Sequence, residues 1–341
     1  MSQLDPRNWD NFWKRANVTS MEGADFRGNY DLEILDFWKN QFSKGADHVV
    51  DLATGNGALV WIVNDLLNSP EPRSRITGVD LASTSPFETL KRRPADYPLV
   101  KFVQNTSIEA LPFKDDSIDF IISQWGLEYS TLCNTIPEAS RVLKPKARMA
   151  FICHYEGSSI LKDTTMKLEK FTVLLEKEVV FERYLELDAL YNSHTSQKGV
   201  QSDPRHSRIV GSLNQALYSI QHYIGRSTDP SINVLPKILN NLSELFAPRQ
   251  PLKQPRRAKD ILKLKDNVLA SVARIEDLRA AALSYDECDE LEALITEAGF
   301  AMVERKPIVH SRLGNVGMAF AAARGGADLN GSKIRGHSAG R

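Results

Sequence analysis

The stretch His48-Val49-Val50-Asp51-Leu52-Ala53-Thr54-Gly55-Asn56-Gly57-Ala58-Leu59 constrains this fold more than any other. An apolar run ends in an acid, small residues follow, and an amphipathic stretch continues to Leu67. That order predicts a buried parallel strand, a tight turn and a helix. Gly55 and Gly57 let the backbone take strained dihedrals and approach a ligand closely, and the helix behind them offers free N–H groups at its N-terminus. A glycine-rich turn alone is shared by several nucleotide-binding folds. Here a second strand, residues 75–81, follows and carries Asp80 at its end. Asp80 lies 23 residues after Gly57, the spacing of a carboxylate that holds a ribose.

Further strands are expected over 100–104, 117–125 and 148–154, with helices over 84–93, closed by Pro94, and 135–144. Short strands alternating with helices predict a parallel α/β sheet covered on both faces. Such sheets bind ligands at their C-terminal strand ends, near the switch point in strand order. The alternation stops near residue 157. One long helix is expected over 160–190, a loop over the polar, Pro204-containing stretch 194–206, and helices over 207–224 and 231–246. Pro248, Pro251 and Pro255 mark a break before a helix that carries Ile261, Leu264, Val268, Val272, Ile275 and Leu278 in step. A helix from Asp286 to Gly299 and strands over 300–305 and 316–322 end the pattern. Two strands with no helix between them must be antiparallel.

Four segments result. Residues 1–45 read as a helical cover, with Trp9–Trp13 and Leu32–Trp38 at helical spacing and Arg27 and Tyr30 in a loop able to reach a ligand. Residues 46–157 and 286–324 form the sheet domain. Residues 158–285 form an all-helical insertion after strand five, and 325–341 a Gly-rich, disordered tail.

Charge narrows the partners. The 43 basic and 43 acidic residues cancel, which argues against nucleic acid as a partner. One segment, 249–265, has seven basic residues against Asp260 alone; its plainest reading is a solvated helix face. The N-terminus lacks a basic, apolar signal, and no apolar run approaches the length of a membrane span. Cys133, Cys153 and Cys288 are far apart, which suggests reduced thiols and a cytoplasmic protein. No clustered Cys/His pattern is present, so no metal is expected.

At this point the chain resembles the class I S-adenosylmethionine-dependent methyltransferases, and among them the ubiquinone/menaquinone C-methyltransferase branch. Asp51-Leu52-Ala53-Thr54-Gly55-Asn56-Gly57 is similar to the motif that binds the methionine part of the cofactor. Asp80, with Leu81 beside it, matches the acid that holds both ribose hydroxyls. Ile108-Glu109-Ala110-Leu111-Pro112-Phe113 and Asp116-Ser117-Ile118-Asp119 resemble the third and fourth motifs. Residues 139–145 resemble the helix and turn before the fifth strand. The resemblance covers 45–155 and 286–324 and implies a Rossmann-like class I sheet with a final antiparallel pair. It does not reach the helical insertion.

Three positions depart from the pattern. Ala53 replaces the usual Gly at small expected loss, since Ala tolerates many turn geometries. Ser107 stands where the branch has an Asp that accepts a hydrogen bond from the adenine amino group; a hydroxyl is the weaker, uncharged acceptor. Lys144-Pro145-Lys146-Ala147-Arg148 replaces Pro-Gly-Gly before strand five.

The resemblance implies cofactor contacts from Asp51, Ala53, Thr54, Gly55, Asn56, Gly57, Asp80, Leu81, Ser107, Ile108, Glu109, Gln124 and Trp125. On the acceptor side, Glu128 and Tyr129 follow strand four and His154 follows strand five. His154 reads equally as a base for an acceptor atom or as a hydrogen-bonded wall residue. The expected activity is methyl transfer to a small, partly apolar molecule, with the insertion as a lid or a dimerisation arm. Two alternatives stay open: an RNA or protein methyltransferase using 249–265, and a non-catalytic cofactor-binding scaffold.

Overall fold

The computed structural model describes residues 6–14, 17–20, 28–68, 71, 73–176, 179–227, 230–247, 250 and 252–325. Arg27 and the tail beyond 325, both singled out in the sequence, lie outside these residues. By contact the chain divides into two compact units, Met1–Leu161 with Ala280–Arg341, and Lys162–Arg279.

The first unit is a seven-stranded sheet. Helices α1 (Pro6–Trp13) and α2 (Leu32–Gln41) precede β1 (His48–Leu52), α3 (Ala58–Leu67), β2 (Arg75–Val79), α4 (Pro86–Thr89), β3 (Val100–Val103), β4 (Ile118–Gln124), α5 (Leu132–Val142) and β5 (Leu143–Cys153). The strand order is β3-β2-β1-β4-β5, then the two C-terminal strands, β7 before β6. Strands β1 to β5 pair in parallel. The order reverses between β1 and β4, so the ends of these two strands flank the switch point where ligands bind. β1 is buried along its whole length, as a central parallel strand must be.

Val50, Leu52, Ile121, Met149 and Phe151 build the sheet's core with Ile136 and Val142 of α5. α5 packs beside the later helix α12 (Tyr285–Glu297), and α2 beside α3. The fully buried Trp38 belongs to α2.

The second unit is helical. α6 (Ser159–Glu176) leads into it, followed by α7 (Val179–Ser193), α8 (Gln197–Ser202), α9 (Pro204–Arg226), α10 (Val234–Glu244) and α11 (Arg257–Ala281). Phe171, Leu174, Phe181, Leu213, Leu235 and Ile261 form a core of its own. Arg257 and Asp188 form an ion pair at 3.0 Å with side chains 1% and 5% exposed, and Lys265 reaches Glu182 at 2.7 Å. Two of the basic residues in 249–265 are therefore committed inside this unit. No helix among the described residues is long and apolar enough to cross a membrane.

Leu161 and Ala280 bound the first unit, and its chain ends are tied nearby. The N–H of Leu283 donates to the His154 carbonyl (3.0 Å) and that of Glu156 to the Leu283 carbonyl (2.8 Å). Tyr155 and Leu283 thus make a short parallel bridge. α12 then starts on a capping box at Ser284 and Glu287, and β6 (Phe300–His310) and β7 (Gly314–Arg324) close the sheet as an antiparallel pair.

Several boundaries differ from the sequence reading. The helix expected over 84–93 is only Pro86–Thr89, because Lys91 adopts a left-handed backbone (φ 53°). The stretch 144–147 is not a turn. α5 ends at Val142 and β5 begins at Leu143, and a register shift between Ile118 and Phe120 absorbs the extra residues. Residues 194–206 are not a loop. Ser196 caps α8 by accepting the Gly199 N–H. Asp203 caps α9 with Pro204 in its first turn, where proline's missing N–H costs nothing. The single helix expected over 160–190 crosses 177–178, which lie outside the described residues. Both final strands run longer than expected.

Candidate functional site

The turn after β1 is built from left-handed backbone. Ala53, Gly55 and Gly57 have φ of 54°, 54° and 79°. Gly57 is the N-cap of α3, and Thr54 N–H ties the turn to the Val79 carbonyl of β2 at 3.0 Å. The expectation that Ala53 costs little is corrected: a Cβ at this dihedral costs about 1–2 kcal/mol relative to glycine. The site holds that strain in place.

Two carboxylates sit at the strand ends. Asp51 is 2% exposed and accepts the Thr54 hydroxyl at 2.6 Å. Burial pushes its carboxyl up to about 8, and the negative Asp80 nearby adds to this. Asp80 accepts the Gly55 N–H at 2.6 Å and the Ala82 N–H at 2.7 Å. Those bonds oppose the effect of burial, and its carboxyl rises less, to about 6. Taking a proton is how a buried acid without a cation avoids the cost of an unpaired charge.

Both acids open on a cavity of about 170 Å³. Ala53 and Thr54 line it from the turn, Leu81 and Ala82 from the end of β2. Ser107, Ile108 and Glu109 line it beyond β3, and Gln124, Trp125 and Tyr129 beyond β4. Trp9 and Trp13 of α1, with Ser20 and Tyr30, contribute from the N-terminal segment. Of these, Ser20 carried no signal in the sequence, since a lone serine in a loop has no periodic or motif context.

Three expected contacts do not line the cavity. A Cβ on Gly55 would meet the Trp13 indole at 2.4 Å, so that ring lies directly on the turn. Gly57 faces Phe102 and Trp61. Asn56 is fully buried, and its amide donates to the Trp13 and Asn17 carbonyls at 2.8 and 2.7 Å. It anchors the end of α1. Ser107 does line the cavity, and its hydroxyl accepts the Glu109 N–H at 3.1 Å. The Glu109 carboxylate is taken by Thr131 N–H and the Asn134 amide, at the start of α5.

The end of β4 is aromatic and tightly held. Trp125 has a φ of 55°, donates its indole N–H to the Val316 carbonyl at 3.1 Å, and meets Tyr30 edge-on at 5.2 Å. His154 stacks on it at 5.3 Å with ring planes 4° apart. Neither His154 nor Glu128 lines the cavity. Burial holds the His154 imidazole neutral, down to about 3, and raises the Glu128 carboxyl to about 7. Glu128 accepts the His154 backbone N–H at 2.6 Å. Tyr129, by contrast, reaches the cavity and packs edge-on against Trp9 at 5.6 Å. Among the described residues no three His, Cys, Asp or Glu side chains are grouped to hold a metal ion.

The cavity thus offers one buried acid that no basic group among the described residues faces, a second on a strand end beside a glycine turn, and apolar walls. An α-amino group would satisfy the first and ribose hydroxyls the second, since a carboxylate has lone pairs beyond the two used by backbone N–H groups.

Residues 50–151 match the family model described as a methyltransferase domain. The chain is 30% identical over 171 residues to the ubiquinone/menaquinone biosynthesis C-methyltransferase of Rickettsia rickettsii, covering 43% of this chain and 66% of that protein. It is 28% identical over 126 residues to the chloroplastic 2-phytyl-1,4-beta-naphthoquinone methyltransferase of Arabidopsis thaliana, covering 34% and 46%. The chain therefore spans slightly less than two thirds of the first relative and under half of the second. A solved S-adenosylmethionine-dependent methyltransferase from Aquifex aeolicus aligns with 45% of this chain and 74% of its own, at 19% identity and a TM-score of 0.32.

With the sheet order, the glycine turn and the family match in agreement, the chain carries a class I S-adenosylmethionine-dependent methyltransferase domain, whose cofactor is S-adenosyl-L-methionine. Within that class, the curated sequences it is similar to are quinone-pathway methyltransferases.

Proposed function

We propose that this chain transfers a methyl group from S-adenosylmethionine to a small, partly apolar acceptor. The observation that carries the reading is the cavity's aromatic wall: Trp9, Trp13, Trp125 and Tyr129 border the same space as Asp51 and Asp80. Aromatic walls suit a flat, apolar acceptor, and the names of the similar proteins point to a quinone-like ring with carbon as the accepting atom.

Bound S-adenosylmethionine supplies an activated methyl on its own leaving group. The chain's residues then have to align and enclose. Asp80 and Asp51 fix the donor by its ribose and amino group, and Trp125, braced from behind by His154, keeps one wall rigid. Holding two reactants in line is worth about 7–11 kcal/mol of barrier. Tyr129 is the one expected acceptor-side residue on the cavity, and we assign it to contact with the acceptor.

An RNA acceptor has less support. Arg257 and Lys265 of the basic segment are spent on ion pairs with Asp188 and Glu182. The role of 158–285 as acceptor lid or dimerisation arm is kept as part of the proposal. The test is a labelled-methyl assay of the full chain against total RNA, total protein and a small-molecule extract. Label in the small-molecule fraction, lost in Asp80→Ala, is expected. Label in RNA, lost when exposed Lys253, Arg256 and Lys259 become Ala, would move the assignment to a nucleic-acid substrate. Label in no fraction would favour a scaffold.

A further inference from the structure

α11 repeats itself every seven residues on two adjoining faces. Ile261, Val268 and Ile275 are buried and belong to the core of the helical unit. One position along, Leu262 and Leu269 are 45% and 44% exposed. Seven residues make close to two turns, so these leucines stand in line on the outer surface of the helix. Ala258 and Ala273, each one turn further out, extend the line at both ends. A single exposed leucine is ordinary. Two in register, beside a face that already has its core, make a second apolar seam.

The exposed charges on this segment are sorted by end. Arg256, Lys259, Asp260 and Lys263 lie before the middle of the seam, and Asp266, Glu276 and Arg279 beyond it. Base prevails at the start and acid towards the end. Arg256, Lys259, Lys263 and Glu276 make no ion pair among the described residues. A cation in the first turn also gains nothing from its own helix dipole. A second copy turned end for end resolves both features in one register. With Leu262 against Leu269 of the second copy, a two-fold axis repeats every contact, as in an isologous interface. Ala258 then falls opposite Ala273 of the second copy, and Asp266 opposite its Lys265. Glu276 comes within reach of its Arg256 and Lys259. A parallel pair would instead set like charges side by side.

We propose that the outer seam of α11, from Ala258 to Glu276, is a self-association surface on which a second copy of this chain docks its own α11 in antiparallel. The inference goes beyond the methyl-transfer reading and does not depend on it. It assigns the outer face of the insertion to dimerisation. An anionic lipid surface would take the basic half of the seam and be repelled by Glu276, whereas a second copy uses both halves. One pair of helices sits at the small end of interfaces, below about 1,200 Å², so the dimer is a weak one with a dissociation constant in the micromolar range.

The test is sedimentation velocity on the full chain, from low micromolar to several hundred micromolar. Wild type should rise from the 38.2 kDa monomer towards twice that mass. Leu262→Glu with Leu269→Glu should weaken association by at least about 10-fold, because it places charges in the seam. Glu276→Arg alone, and Arg256→Glu with Lys259→Glu, should each weaken it by about 10-fold through like-charge contacts. Mixed in equal amounts, these two charge variants should pair again with near wild-type strength, since each supplies the sign the other has lost. Circular dichroism checks the fold of every variant without calling on the cofactor assignment. A wild type that stays monomeric over the whole range overturns the proposal. So does a dimer indifferent to the leucine variant, or a mixture of the charge variants that associates no better than either alone. A monomeric wild type that floats with vesicles of equal phosphatidylserine and phosphatidylcholine, and is released by the leucine variant, would give the seam to a lipid surface instead.

Discussion

Asp51 holds a proton near neutrality because it is buried and the negative Asp80 lies close by. Its folded value, about 8, lies above the ordinary 3.8, so its contribution to stability is full in acid and drains away as pH rises through 8. Asp51→Asn removes that drain. Without cofactor, the variant and wild type should be nearly equal in denaturant unfolding at pH 4. By pH 8.5 the variant should lead by on the order of 2–4 kcal/mol; a gap that does not grow with pH would exclude the buried proton. His154 separates two roles by shape. Its imidazole is neutral and stacked behind Trp125, away from the cavity. We expect His154→Phe, which keeps a ring there, to retain methyl transfer within about threefold, and His154→Ala to lose about 10-fold or more, as for a lost aromatic contact plus a cavity. Loss in both variants, with a pH profile that shifts, would instead make His154 the base.

At the scale of elements, α1 is only eight residues long and depends on its anchors. Asn56 bonds the Trp13 and Asn17 carbonyls, Asp10 accepts the Ser83 N–H at 2.8 Å, and Trp13 lies on Gly55. Asn56→Ala should cost about 1–3 kcal/mol of stability by orphaning two carbonyls. It should also red-shift tryptophan emission and speed release of S-adenosylhomocysteine in stopped-flow mixing. Unchanged emission and release would mean that α1 does not depend on Asn56. Much of this architecture was legible beforehand. The β1 turn, Asp51, Asp80 and the alternation of strands follow from apolar period and glycine spacing, which act locally. What stayed hidden depends on partners distant in sequence. Asn56 sits inside the motif yet points back at α1, Glu109 is spent on capping α5, and Trp38 selects the orientation of Gln124 across 86 residues. Pro204 misled for a local reason, because it can open a helix as readily as break one.

On the scale of the whole molecule, each unit has its own apolar core, and the helical one carries a buried ion pair. Removing one partner of such a pair leaves a stranded charge and costs about 3–5 kcal/mol. Arg257→Met should therefore destabilise the helical unit by that order, while the joint change Asp188→Leu with Arg257→Met recovers most of it. Differential scanning calorimetry reads both, and equal damage in the single and double variants would show that the charges do not act as a pair. The bridge between Tyr155 and Leu283 has a consequence for how such a chain changes over generations. Where departing and returning segments are tied side by side, everything strung between them is, to the sheet, a single crossover connection. Its length and sequence can drift, shrink or be exchanged wholesale without moving one strand's register. A gene built this way can rewrite its helical segment as a module while its cofactor end stays under separate constraint, and a protein engineer can make the same cut.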